Sequence, residues 1–315
     1  FTTSTDDADM TLANASKAFT GAVTFVSDDT NTNNAEDVDL TNSIATVLAA
    51  NTASGTLDVI SGGNLTQTAA LVAGSTSTFT TSASDATITL GTTTNALGGT
   101  VAFTTAGTAG NVVIDNGTTG LDLAASTING TLTATGGATA GIVDSGNVAV
   151  AGNVTLTTDA GNGVINMGTL QQSAGDLILV TNGNGAATVV NNAAIDFGTS
   201  NVGGALDVTA SAGTITQNGG ALTVAGTSAF TTSTNDQAIT LSNTTNALTG
   251  AVAFTTGGTT GNVVIDNGTT GLDLAASTIS GTLTATGGAT AGIVDSGNVA
   301  VAGNVTLTTD AGNGV

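Results

Sequence analysis

The chain has 315 residues and a net charge of −21, with Lys17 as its one basic side chain against 22 acidic ones. One positive charge cannot neutralise a phosphate backbone, so nucleic-acid binding is excluded, and an anionic membrane surface would repel the chain. Pro, Cys, His, Trp, Tyr and Arg are absent, charged residues are 7 % and Gly occurs 45 times, which is poor in the residues of solvated helices and rich in those of strands and turns.

Hydrophobic residues still make up 40 % of the chain and mean hydropathy is +0.33. That apolar surface recurs at regular spacing, which argues against disorder. No run approaches about 18 apolar residues, so no helical membrane span is expected, and missing aromatic girdles disfavour an outer-membrane barrel. Trypsin-like proteases would cut only after Lys17, which suits a protein exposed outside cells.

In chain order, Phe1 opens FTTSTDDADMTLANASKAFTGAV (1–23), which returns as FTTSASDATITLGTTTNALGGTV (79–101) and FTTSTNDQAITLSNTTNALTGAV (230–252). Residues 95–164 match residues 246–315 at an offset of 151, with 65 of 70 positions identical. A finer period is marked by the first apolar residue of each strand-like run: Phe1, Val23, Leu57, Phe79, Val101, Leu132, Val154, Leu177, Leu206, Phe230, Val252, Leu283 and Val305. Most steps are roughly 22 residues, and a longer one of roughly 30 residues follows every second short one.

This periodicity predicts an all-β, parallel β-helix (β-solenoid) of about 12–13 coils of 22–34 residues, with a three-coil unit of about 75 residues. Right-handedness follows from the general rule for parallel crossovers. The chain reads as one repetitive segment, 1–315, of a longer protein, with units near 1–78, 79–153, 154–229, 230–304 and a partial 305–315. The long coils starting at Val23, Val101, Leu177 and Val252 are expected to bulge outward. Both ends look like ordinary coils rather than polar caps, so covalent continuation or end-to-end self-association is expected.

Period-two spacing places Phe25, Phe103, Phe254, Leu132, Ala134, Val154, Leu156, Leu177 and Leu179 inward, with Thr104, Thr155, Thr255 and Thr306 facing solvent. The absence of Pro fits strands whose every N–H belongs to a ladder.

Runs such as GNVAVAGNVTLTTDAGNGV (146–164) and GGALTVAGTSAFTTSTNDQAITLSNTTNALTGAVAF (219–254) resemble the repeats of filamentous-haemagglutinin-type adhesins, very large secreted bacterial proteins of the two-partner secretion class. The resemblance covers essentially the whole chain and is one of repeat style. It implies a right-handed parallel β-helix, export through the outer membrane, an extracellular or cell-surface location, and contacts with host cells, surfaces or neighbouring filaments.

No catalytic or cofactor-binding residue is assigned. Polysaccharide-active enzymes also use parallel β-helices, but their sites need grouped acids and bases with Arg, Lys or metal beside them; Asp pairs alone leave glycosidase-type chemistry open. The sharpest local feature is SDDTNTNNAEDVDL (27–40). Its Asp28, Asp29, Glu36, Asp37 and Asp39, with Asn31 and Asn33 between, offer the hard oxygen ligands calcium prefers, but the spacing is not that of an EF-hand and favours a solvated loop. The fold itself is expected to need no metal. Asp39, Asp122, Asp196 and Asp273 recur in xDL or xDF motifs, either as a ligand-binding line or as plain outward strand positions. Eight N-x-S/T sequons, at Asn14, Asn64, Asn116, Asn129, Asn153, Asn243, Asn267 and Asn304, arise automatically in so Asn/Thr-rich a chain. Thr rows invite an ice-binding reading, which the changing Thr pattern from coil to coil breaks.

Overall fold

The computed structural model describes residues 1–3, 8–27, 36–137, 140–289 and 291–310. These residues form strands and turns without a helix, stacked as a parallel β-solenoid of about 12 turns of roughly 22 residues. The chain divides into two compact units, Phe1–Ala160 and Gly161–Val315.

In the first unit a turn begins on strand Val38–Asn42, bends to Thr46–Leu48, bends again to Asn51–Ala53 and returns one level on at Leu57–Ser61. Each side of this triangle pairs in parallel with the same side of the next turn: Val38 with Leu57, Thr46 with Leu65, Asn51 with Leu71. Alternating residues are buried along these strands, as in Val38–Asn42 and Leu57–Ser61. The pleat therefore sends Val, Leu and Phe into the triangle and Thr and Asp outward.

The second unit repeats the design. Its first side runs from Ile165 to Ala187, Leu206, Ser228 and Val252, and its second from Ile195 to Ile215, Ile239, Val263, Leu283 and Val305. The inward assignments hold in both units. Phe25, Phe103, Phe254, Leu132, Ala134, Val154, Leu156, Leu177 and Leu179 are fully buried, while Thr104 and Thr255 are exposed and Thr155 is half-buried; Thr306 lies on Val305–Thr309, where every residue is exposed. Phenylalanine rings stack between successive turns, Phe79 on Phe103 at 5.8 Å and Phe230 on Phe254 at 5.9 Å between centroids.

The expected long coils at Val101, Leu177 and Val252 are not there. Register steps through these regions stay close to the common turn length, for example from Val112 to Leu132 and from Leu132 to Val154. The apparent long coils arise where the leading apolar run changes sides. Val101 pairs with Ser77 on the first side, whereas Leu132 pairs with Val112 on the second; Val252 and Leu283 differ in the same way. Leu177 to Leu206 is again a change of side. Each of these intervals is one ordinary turn displaced by part of another, and no bulge is needed to hold surplus residues. The Val23 interval also changes side, since Val23 bridges to Leu48 on the second side and Leu57 lies on the first. Here the step from Met10 to Val38 is longer than the rest and takes in residues 28–35, so the bulge expected at this coil falls outside the described residues.

Candidate functional site

The calcium candidates are only partly brought together. Asp28 and Asp29, with Asn31 and Asn33, lie outside the described residues. Glu36 points inward and is fully buried. Its Oε2 accepts from Ser54 Oγ at 2.9 Å, its carbonyl accepts from Gly55 N at 2.9 Å, and its Oε1 has no partner. Asp37 and Asp39 alternate to the outer face. Asp37 Oδ1 accepts from Thr56 N at 2.7 Å, which consumes part of the donor set a cation would need. Burial, and then the nearby carboxylates Asp58, Asp37 and Asp9, raise Asp39 above the usual carboxylate range. Among the described residues no group of three or more acidic side chains has an arrangement that could hold a metal.

The recurring Asp residues all take outward strand positions, but not on one line. Asp196 sits on strand Ile195–Phe197 of one sheet, and Asp273 on strand Leu272–Leu274 of the other. Their partners differ too. Asp196 Oδ1 accepts from Thr216 Oγ1 at 3.0 Å, whereas Oδ1 of Asp122 and of Asp273 is buried without a partner.

Two carboxylates that sequence reasoning passed over are fixed by geometry. Asp85 and Asp236 are the two non-glycine residues with positive φ among those described, at 61° and 63°. Each sits at the corner after a long strand and accepts two consecutive backbone N–H groups from the next turn. Thr108 N and Ala109 N reach Asp85 Oδ1 at 2.7 and 2.9 Å, and Thr259 N and Thr260 N reach Asp236 Oδ1 at 2.7 and 2.8 Å. Those N–H donors hold both carboxyls below their usual range. A short acceptor tolerant of the left-handed region is what this corner requires. The Ser/Asn-Asp step at a constant place in FTTSASDATITL and FTTSTNDQAITL is the signal that could have found it.

The buried asparagines were equally hidden. Asn116 Oδ1 accepts from Leu97 N at 2.8 Å, and its Nδ2 donates to Leu97 O at 3.0 Å and Gly120 O at 2.8 Å. Asn267 makes the same three bonds to Leu248 and Gly271. Both residues are sequons by pattern, yet both are fully buried with their amides spent on backbone, so neither can accept a glycan in the folded chain.

The described residues thus present periodic outer faces of Thr, Asn, Ser and Asp around a closed apolar interior. Such faces can bind through repetition of weak polar contacts. No curated protein matches the chain, and no solved structure matches it. A family model described as repeats of unknown function (DUF5649) matches in successive copies, at 35–104, 109–181, 184–255 and 260–315. The chain belongs to this DUF5649 repeat family.

Proposed function

We propose that the chain is a structural shaft of a secreted surface adhesin or extracellular filament, one that mediates attachment or biofilm formation. The observation that carries this reading is the repetition of one turn design through both units, with a near-constant register step and the outer face built from short polar side chains. A solenoid of this kind gains length by adding turns, each stabilised by its neighbours. It offers many equal contacts and no single reaction centre. The missing His, Cys, Tyr and Arg favour a structural over a catalytic role.

A second reading is a fibre, sheath or surface layer in which copies stack on one another. The near-constant register step favours it too, because a turn shaped to stack on its own neighbour offers the same geometry to a copy. Immunogold labelling of intact cells of the source organism, with attachment compared before and after deletion of the gene, tests the first reading. Label on the outer surface with attachment reduced severalfold is expected. Label confined to the cell interior would contradict both readings, and a labelled continuous coat with attachment unchanged would replace the first by the second.

A further inference from the structure

Two outward Asp residues receive a donor from a Thr in register on the following turn. Thr78 pairs with Asp58 and donates to its Oδ1, and Thr216 pairs with Asp196 and donates at 3.0 Å. Asp122 and Asp273 have no such donor. The residues in register with them are Val143 and Val294, which cannot donate. On the preceding turn Thr100, in register with Asp122, lies instead 3.4 Å from Thr76 Oγ1. In both aspartates Oδ1 is left buried and unpartnered.

A groove lies beside each of these two aspartates. Thr119, Gly120, Leu121, Asp122, Ala140 and Val143 line a space of about 340 Å³. The equivalent six positions of the later copy line a space of about 320 Å³ around Asp273. Both volumes lie at the small end of the range for small-ligand clefts. The walls are glycine and aliphatic, with Thr100 and Thr119 in the first groove and Thr249 and Thr270 in the second, and the carboxylate is the sole charge lining either groove.

We propose that these two grooves are equivalent binding sites for a primary alkylammonium group, with the ammonium on the Asp122 or Asp273 carboxylate and its alkyl stem against Val143 and Ala140 or Val294 and Ala291. The carboxylate that lines each groove only accepts hydrogen bonds, so a ligand that pairs with it is a donor. The apolar walls suit a methylene stem, and an ammonium carries three N–H donors at its end. The chain cannot supply such a group to both sites, having one Lys, and its net charge of −21 attracts cations from solution. A free aliphatic amine and a lysine side chain of a partner protein carry the same chemistry.

Titration of the intact chain with n-butylammonium and with a blocked lysine, followed through the Ala140 and Ala291 methyl signals by NMR, tests the assignment. Saturable shifts at both methyls are expected, and whichever probe binds more tightly identifies the source. The double variant Asp122→Asn/Asp273→Asn should weaken binding about tenfold or more, as loss of a charge-assisted hydrogen bond does, while Asp207→Asn, on an exposed strand position, leaves it unchanged. Val143→Thr/Val294→Thr, which restores the in-register hydroxyl, should raise the melting temperature and weaken binding together. The proposal is overturned by an absence of saturable shifts, by equal shifts with n-butanol, by an equal loss in Asp207→Asn, or by full binding in the double Thr variant.

Discussion

Phe254→Ala lowers the stability of the Gly161–Val315 unit by about 3–5 kcal/mol, and Phe103→Ala does the same to Phe1–Ala160. Phe254 is fully buried, in register with Phe230, and its ring stacks on that neighbour at 5.9 Å with 19° between planes. Phe230 in turn meets Phe197 edge-on at 6.3 Å. Truncation removes a ring contact as well as apolar burial, and it opens a cavity in a section that cannot close. Turns on either side are held at ladder spacing by backbone hydrogen bonds, so neighbouring side chains have little freedom to fill the space. Denaturant melts of single variants give the loss directly. A deficit below about 1 kcal/mol for both would mean that the interior relaxes far more than this register permits. Because turns in a solenoid are stabilised mainly by neighbours, hydrogen exchange should show the loss concentrated in the turns flanking the substitution.

Asn267→Ala is expected to cost about 2–4 kcal/mol, although the residue is polar and sits at a turn. Its amide satisfies both backbone groups of Leu248 in a buried setting and the carbonyl of Gly271 in a part-buried one. Alanine would leave the donor and the acceptor of Leu248 buried and unpaired, and the Gly271 carbonyl without its partner. Asn267→Asp makes the sharper comparison. A carboxylate can accept from Leu248 N but faces two carbonyl oxygens where the Nδ2 protons were, so burial and those carbonyls disfavour its charge. The folded pKa of that Asp is then raised above its unfolded value. Its penalty is greatest at neutral pH and eases as pH falls through the raised pKa, where the protonated acid can donate. Melts of Asn267→Ala and Asn267→Asp at pH 7 and pH 4 check this. Equal stability of Asn267→Asp at both values would contradict the bonding scheme.

Much of this interior can be read from the residues alone. Phe25, Phe103 and Phe254 follow a Val at period two in VTF or VAF runs, and the pleat leaves that pair one common side. The side of the triangle to which a run belongs is not legible in the same way. VAFTT on the first side and LTATG or VTLTT on the second have the same alternation of apolar and hydroxyl residues, so a change of side looks like a lengthened coil. The polar residues that fix the corners are hidden by composition. Asn116 and Asp85 stand among dozens of turn-forming Asn, Asp, Gly and Thr, and only the partners on adjacent turns set them apart. The Asp122 carboxylate is still less visible, because it is distinguished by Val143, which has no hydroxyl to donate, standing in register one turn later.

Parallel stacking of turns of roughly 22 residues underlies each of these arguments, and a pyrene-excimer measurement tests it most directly. The chain has no cysteine, so introduced pairs are labelled without background. Thr133 and Thr155 are outward and in register on successive turns, which places their Cα atoms about 5 Å apart. Ala102 and Thr133 each follow the leading residue at one end of an apparent long interval, but lie on different sides of the triangle. Pyrene maleimide on Thr133→Cys/Thr155→Cys should give a strong excimer band in dilute, monomeric protein, and Ala102→Cys/Thr133→Cys should give monomer emission alone. Excimer from the second pair and none from the first would contradict the register and the solenoid turn derived from it.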